Sequence, residues 1–272
     1  DPYGNSNGVH IGADAILTQY FHGYISDFRC VSSCLYTSNF TPTTSPLQPI
    51  TNTKLLLNGN NGGVEDSLGK VTLETDGAQI DTTVKKFGTG SIVFDGTDDY
   101  LRHERGTFNL VHGGDFTVEA WINMDSFAST SYGKCIVAEW EQSTGNEGWI
   151  LWVKDTGKLE FWWKPDLTTG SLIVDSNSSI SLNTWHHVAV SKEGSNFALF
   201  VDGQRVANGS NSGTATDTAE FTVGFYGSNN NPHSSNSWFD GHIDDLRITK
   251  GVARYDPTQT SHTVPTKTHP TT

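Results

Sequence analysis

Apolar and polar residues alternate along this chain in short runs, and turn signals separate the runs. The cleanest run is Phe116-Thr117-Val118-Glu119-Ala120-Trp121-Ile122. Successive side chains of a strand point to opposite faces, so Phe116, Val118, Ala120 and Ile122 share one face and Thr117, Glu119 and Trp121 the other. Ser91-Ile92-Val93-Phe94 runs into Asp95-Gly96 and then Tyr100-Leu101. Val188-Ala189-Val190 and Ala198-Leu199-Phe200-Val201 follow, the latter ending at Asp202-Gly203. Asp-Gly between strands signals a hairpin, because glycine takes a positive φ without a steric cost. Phe221-Thr222-Val223-Gly224 and the run from Ile243 to Ile248 close the series. No stretch carries a helical period. The pattern predicts an all-β antiparallel sandwich.

One hairpin can be registered from its pattern. Asp155-Thr156-Gly157 fits a three-residue loop with glycine in the left-handed position. Lys154 then faces Lys158, Val153 faces Leu159, and Trp152 faces Glu160. Trp149, Leu151, Val153, Leu159, Phe161 and Trp163 fall on one wholly apolar face, which must be core. Ile150, Trp152, Lys154, Lys158, Glu160 and Trp162 fall on the other. A two-residue loop would mix the two sets.

A nine-residue pattern occurs twice. Phe21, Gly23, Ile25, Asp27 and Arg29 reappear as Phe239, Gly241, Ile243, Asp245 and Arg247, an offset of 239 − 21 = 218 residues. Tyr36 and Pro46 have counterparts in Tyr255 and Pro265. A repeat that long is a domain-sized unit. The first copy reads as the end of a preceding domain that begins upstream of Asp1. Pro42, Pro46 and Pro49 mark a Pro/Thr/Ser-rich connector. The expected organisation is therefore closing strands plus linker over 1–50, a complete domain over 51–256, and an extended linker or tail over 257–272. Strands around Ile11 and Ile25 that lack their sandwich expose bare edges, so residues 1–45 are expected to need a docking partner: the main domain, an adjacent subunit or an upstream part.

Composition narrows the function classes. Of 272 residues, 35% are hydrophobic and 28 are glycine, which suits many short strands joined by polar loops. The formal charge of −13 repels phosphate backbones and argues against nucleic-acid binding. No apolar run reaches membrane-span length. The three cysteines, Cys30, Cys34 and Cys135, are too few and too odd in number for a disulfide framework. Cys30 and Cys34 are close enough to pair across a turn, and Cys135 reads as part of a buried strand.

Five segments in order resemble a laminin-G-like domain: Phe94-Asp95-Gly96 with Tyr100-Leu101, the Phe116–Ile122 strand, Trp185-His186-His187-Val188-Ala189-Val190, Leu199-Phe200-Val201-Asp202-Gly203, and Gly241 with Ile243 through Ile248. The resemblance covers residues 52–250. It implies a concanavalin A-like jelly-roll sandwich of two antiparallel sheets, one of them concave. The linker segments Ile-Ser-Asp-Phe-Arg, Leu-Tyr-Thr-Ser-Asn-Phe-Thr-Pro and Thr-Asn-Thr-Lys-Leu-Leu-Leu are similar to those between such domains in structural proteins of marine bacteriophages. That implies a virion surface location. Large secreted bacterial proteins carry similar tandem domains, and an extracellular setting of that kind stays open.

The resemblance also directs the search for chemistry. Glucanases on this fold use paired Glu residues with an Asp between them, for acid and nucleophile roles. Neither spacing occurs; Glu139-Trp140-Glu141 is nearest and lacks the Asp. His186-His187 reads as a structural pair beside Trp185. No Gly-x-Ser-x-Gly elbow, phosphate loop or His-Glu-x-x-His occurs. The chain is read as a non-enzyme. Trp152 and Trp162, beside Lys154, Lys158 and Glu160, are the candidate glycan face, since an indole stacks on a pyranose while charges take its hydroxyls. The competing reading packs both rings under a loop or a neighbouring domain. Calcium is the one cofactor the resemblance brings into play; it needs six to eight oxygens. Asp95, Asp98, Asp99 and Asp244 are the candidate ligands. Ser26, at the place of Asp244 in the first copy, weakens any metal requirement of the repeat. The partners implied are neighbouring repeats or subunits and a cell-surface polysaccharide. A structural or adhesive domain, a secreted glycan-binding module and a degenerate glucanase are the competing functions.

Overall fold

The computed structural model describes residues 11, 21–23, 25, 28–45, 47–48, 50–57, 64, 66–68, 71–103, 114–129, 132–140, 148–164, 171–213, 219–228, 231–232 and 237–270. The chain forms two compact units, Asp1–Gly62 and Gly63–Thr272. Among the described residues no helix is long and apolar enough to cross a membrane.

In the first unit, β1 (Phe28–Val31) and β2 (Thr53–Leu57) pair antiparallel, with Phe28 opposite Leu57 and Cys30 opposite Leu55. The Leu55–Leu57 strand expected from the sequence is present, and its partner is β1. Asn52 turns the chain into it at φ 68°. Cys30 and Cys34 are exposed free thiols.

The second unit holds β3 (Glu74–Asp76), β4 (Gln79–Asp81), β5 (Ser91–Asp95), β6 (Tyr100–His103), β7 (Phe116–Met124), β8 (Lys134–Glu139), β9 (Trp149–Val153), β10 (Lys158–Trp163), β11 (Ser171–Ser179), β12 (His186–Glu193), β13 (Asn196–Val201), β14 (Gln204–Ser210), β15 (Phe221–Val223), β16 (Gly227–Ser228), β17 (Asn231–Pro232) and β18 (Asp240–Lys250). Two seven-stranded antiparallel sheets face each other. The first has the order β11-β10-β9-β8-β15-β6-β3, the second β14-β13-β12-β7-β18-β5-β4. The fold is the expected all-β concanavalin A-like jelly-roll sandwich.

The hairpin face that the pattern assigned to the core is buried there. Phe116, Val118, Ala120 and Ile122 of β7 meet Leu151, Val153, Leu159 and Phe161 of the facing sheet, all buried. Each buried large apolar side chain contributes about 1.5–3 kcal/mol. The Phe116 and Trp163 rings stack at 5.5 Å across the sandwich. The β9–β10 hairpin has the predicted register, Val153 opposite Leu159 and Trp152 opposite Glu160, with Gly157 at φ 75°.

The repeated pattern has a structural explanation in β18, which pairs with β5 on one side and β7 on the other. Phe239 and Ile243 are buried in the core. A Cβ on Gly241 would lie 2.2 Å from the Asn123 carbonyl oxygen, so only glycine lets the strands approach there. The register shifts between Asp244 and Arg247, with Asp245 at φ 51°. This bulge turns Asp245 toward the stretch read as an extended tail. That stretch is extended, and it is packed: Arg205 donates to the carbonyls of Pro257 and Thr258 at 3.0 Å each, His262 N donates to the Gly203 carbonyl at 2.7 Å, and His269 N donates to Asp245 at 3.0 Å. Residues 251–270 thus form a strap along the outer face of the second sheet.

Candidate functional site

The outer face of the first sheet carries the two tryptophans that the hairpin register singled out. Trp152 on β9 and Trp162 on β10 are both half-buried. Their rings stand edge to face, centroids 6.3 Å apart. The Nε1 groups of both donate to one oxygen, Oε2 of Glu160, each at 2.9 Å. Lys154 Nζ lies 3.1 Å from the other oxygen, Oε1. Glu160 is itself buried. Its carboxylate is thus occupied by two indoles and an ammonium, and acts as the anchor of the face rather than as a free acceptor. The neighbouring Glu160 raises the pKa of Lys154. Lys158 shares the face, is half-buried, and forms no ion pair among the described residues.

This face is less polar than its pattern implied. Ile150, Cys135, Ala138 and Tyr226 are buried in a second apolar cluster there, with Trp140, Trp152 and Trp162 packed on it. Tyr226 meets the Trp152 ring edge-on at 5.4 Å. Gly133 lies against the same indole, where a Cβ would come within 2.8 Å of its ring. Trp152 is therefore braced by Gly133, Tyr226 and Trp162, while Trp162 stands at the hairpin's outer side. Burial raises the Tyr226 hydroxyl and Cys135 thiol pKa values, so both stay neutral. Asp175 on β11, exposed and opposite Glu160 in register, adds a carboxylate. Sequence periodicity missed Cys135, Trp140, Tyr226 and Asp175, because they reach the face from other strands and loops.

The four calcium candidates do not form one set. Asp95, Asp98 and Asp99 converge, with ligand oxygens within 4.8 Å of one another. Asp244 lies elsewhere: its Oδ2 accepts the backbone N–H groups of Lys86 and Phe87 at 2.8 and 2.9 Å. Its role is to tie the loop before β5 onto β18. Within the trio, Asp95 Oδ1 accepts from Thr97 N at 2.8 Å and Asp99 Oδ2 accepts from Asp95 N at 2.8 Å. Burial, and the nearby Asp95 and Asp98, raise the Asp99 pKa. The trio alone offers far fewer oxygens than the six to eight calcium requires, so carbonyls and water would have to complete any such shell.

The other motifs have structural occupations. Glu139 is buried and accepts from Trp149 Nε1 at 2.8 Å; Glu141 lies outside the described residues. His186 bridges Asp202 at 2.7 Å and the Ser181 hydroxyl at 2.9 Å. His187 Nε2 lies 3.3 Å from Glu119. That glutamate is the centre the sequence did not reveal. Its side chain is fully buried and receives Arg247 Nε and NH2 at 2.9 and 2.6 Å, the Tyr255 hydroxyl at 2.5 Å, and His269 Nε2 at 3.2 Å. Burial by itself raises its pKa, but the hydrogen bonds from His187, His269 and Tyr255 outweigh that and hold it far below the ordinary carboxylate range. Tyr255 also stacks on His262 at 3.6 Å. Glu119 thus fastens the strap to the sheet.

A laminin G-type family model, that of the concanavalin A-like lectin/glucanases superfamily, matches residues 95–254, and the chain belongs to that superfamily. No curated protein matches the sequence. Among solved structures, domain 4 of AbnA, a GH43 extracellular arabinanase from Geobacillus stearothermophilus in complex with arabinotriose, is 18% identical, with 68% of this chain and 86% of that chain covered and a TM-score of 0.50. The carbohydrate-binding module CBM66 from Bacillus subtilis is 15% identical, with 65% and 94% covered and a TM-score of 0.40. Domains LG4-5 of the mouse laminin α1 chain are 16% identical, with 64% and 46% covered and a TM-score of 0.43. At such identities the likeness is one of fold.

Proposed function

We propose that this concanavalin A-like domain is a non-catalytic glycan-binding and adhesion module, and that its ligand lies over the outer face of the first sheet. One observation carries the reading: Glu160 holds two indoles at fixed angles on a half-exposed face. Trp162 is the main stacking platform, with Trp152 as its braced partner. Lys158 and Asp175 take hydroxyl groups at the rim. An aromatic plane needs no reorganisation to receive the apolar face of a pyranose or furanose, so little entropy is lost on binding. The fold likeness to an arabinanase domain in complex with arabinotriose supports a sugar ligand. Among the described residues the adjacent carboxylates of this face are Glu160 and Asp175, and Glu160 is occupied by two indoles and Lys154, which argues against the acid and nucleophile roles of a glycosidase pair.

The setting we infer is a multi-domain protein of the virion surface, in a tail fibre, appendage or capsid decoration, with neighbouring repeats of the same protein and a host polysaccharide as partners. The linker segments, similar to those of marine bacteriophage structural proteins, support it. The second reading is a secreted bacterial glycan-binding protein, favoured by the extracellular enzyme domain of like fold.

A glycan array with the wild type, Trp152→Ala and Trp162→Ala tests the reading. Wild-type binding that falls at least about tenfold in Trp162→Ala supports it, a change of about 1.4 kcal/mol. Equal binding by all three moves the ligand off this face. A reducing-sugar assay on laminarin and agarose checks the non-catalytic part, which steady product release would overturn.

A further inference from the structure

The two copies of the repeated pattern stand in opposite states of burial. Just before β18, Phe239 is fully buried and meets Phe94 edge-on at 5.8 Å. Ile243 is fully buried between Ile92 of β5 and Ile122 of β7. Arg247 pairs with the buried Glu119, and Tyr255 donates its hydroxyl to the same carboxylate. In the first unit the counterparts are Phe21, Ile25, Arg29 and Tyr36. Phe21 is 58% exposed, Ile25 49% and Tyr36 50%. Arg29 donates to a neutral carbonyl, that of Gln48, at 2.7 Å. An open groove of about 410 Å³ runs over Ile25, Phe28, Arg29, Val31, Leu35 and Tyr36. Among the described residues β1 pairs with β2 on one edge, as the matching Arg247–Thr249 stretch of β18 pairs with β7, while Gly241 and Ile243 lie between β5 and β7.

Exposed apolar side chains beside an unpaired strand edge mark an interaction surface. The second copy states what covers such a segment. We propose that residues 21–36 are a docking segment whose partner is an open β-sandwich of the same construction as the second unit, one with its closing-strand slot vacant. Phe21 and Ile25 enter that sandwich's core as Phe239 and Ile243 do here. Arg29 and the Tyr36 hydroxyl converge on a buried carboxylate at the place of Glu119. The partner is a protein by its chemistry: β1 presents a strand edge, and Phe21, Ile25 and Arg29 recur at the sequence spacing of Phe239, Ile243 and Arg247. A sugar or a lipid surface offers neither a hydrogen-bonding edge nor a fixed buried carboxylate.

The full chain provides the test, because its own second unit contains such a slot. Residues Phe239–Arg247 are exchanged, nine for nine, for the sequence of residues Phe21–Arg29. A control carries the same nine residues scrambled. The exchanged chain is expected to unfold in one cooperative transition of its second unit, with a loss of no more than about 10 °C, while the scrambled chain is degraded by protease. Within the exchanged chain, Arg29→Ala at its new place is expected to destabilise as much as Arg247→Ala does in the wild type. An exchanged chain as protease-sensitive as the scrambled one overturns the proposal. So does an exchanged chain that folds but is indifferent to that arginine.

Discussion

The indoles of Trp152 and Trp162 stand edge to face, with ring centroids 6.3 Å apart, because both donate to the same oxygen of Glu160. Neither ring can rotate without breaking its bond to a buried carboxylate, so the face has a fixed shape before a ligand arrives. Glu160→Ala frees both indoles and leaves Lys154 unpaired. We expect glycan binding to fall at least as far as in Trp162→Ala, with a stability loss of about 1–3 kcal/mol. Isothermal titration and thermal melts measure the two effects. Full binding by a folded Glu160→Ala protein would contradict the anchoring role.

Gly133 tests the same face from its other side. A Cβ there comes 2.8 Å from the Trp152 ring and 3.0 Å from the Val153 carbonyl oxygen. Gly133→Ala should push the indole off its bond to Glu160, at a cost of about 1–3 kcal/mol for the overpacking. A shift in tryptophan fluorescence with reduced sugar affinity is the expected result.

Glu119 makes the strap sensitive to acid. Its folded-state pKa lies below its ordinary value of 4.5, so its stabilisation is complete above 4.5 and declines as the pH falls below it. Burial lowers the His262 pKa from 6.5, so the neutral ring favours the folded state and its contribution is lost as the pH falls through and below 6.5. Both effects have the same sign. Hydrogen-exchange protection of residues 252–270, taken relative to the intrinsic amide rate at each pH, is expected to be highest at pH 7.5, lower at pH 5.5 and lowest below pH 4. Uniform protection across that range would sink the account.

Removing the carboxylate outright is harsher. Glu119→Ala leaves Arg247 and two histidines without their acceptor, and loss of one partner of a buried ion pair costs about 3–5 kcal/mol. The strap should become the first site of proteolysis, ahead of the β9–β10 hairpin.

The cysteines divide by burial. Cys30 and Cys34 are exposed, whereas Cys135 is fully buried with its thiol pKa raised by desolvation. Thiolate is the reactive form. A thiol-reactive dye should therefore label Cys30 and Cys34 rapidly in the native protein and Cys135 only after denaturation.

Much of this was legible in the chain. The period-two run of β7 sorted its side chains into two faces, and the runs of β12 and β13 were legible as strands, because a strand's own pleat sorts its side chains. The loop Asp155-Thr156-Gly157 set the hairpin register, since only one loop length kept Trp149, Leu151 and Val153 with Leu159, Phe161 and Trp163. The site was half legible. Trp152, Trp162, Lys154 and Glu160 are local to one hairpin and could be placed together. Tyr226 and Gly133, which brace Trp152, come from distant loops without any alternation. The resemblance puts Asp244 beside Asp95, Asp98 and Asp99 as a calcium ligand, and the fold separates it from them by turning it onto the Lys86 and Phe87 amides.

The sequence by itself determined the fold class, the core faces and the hairpin that carries the tryptophans, all consequences of local periodicity and turn geometry. The tertiary structure decided what each charge does. Glu119 and Arg247 stand 128 residues apart in sequence, and their meeting depends on β7 and β18 lying side by side. Periodicity says which face a side chain takes. Which distant partner satisfies a buried carboxylate is settled only when the sheets close and water leaves.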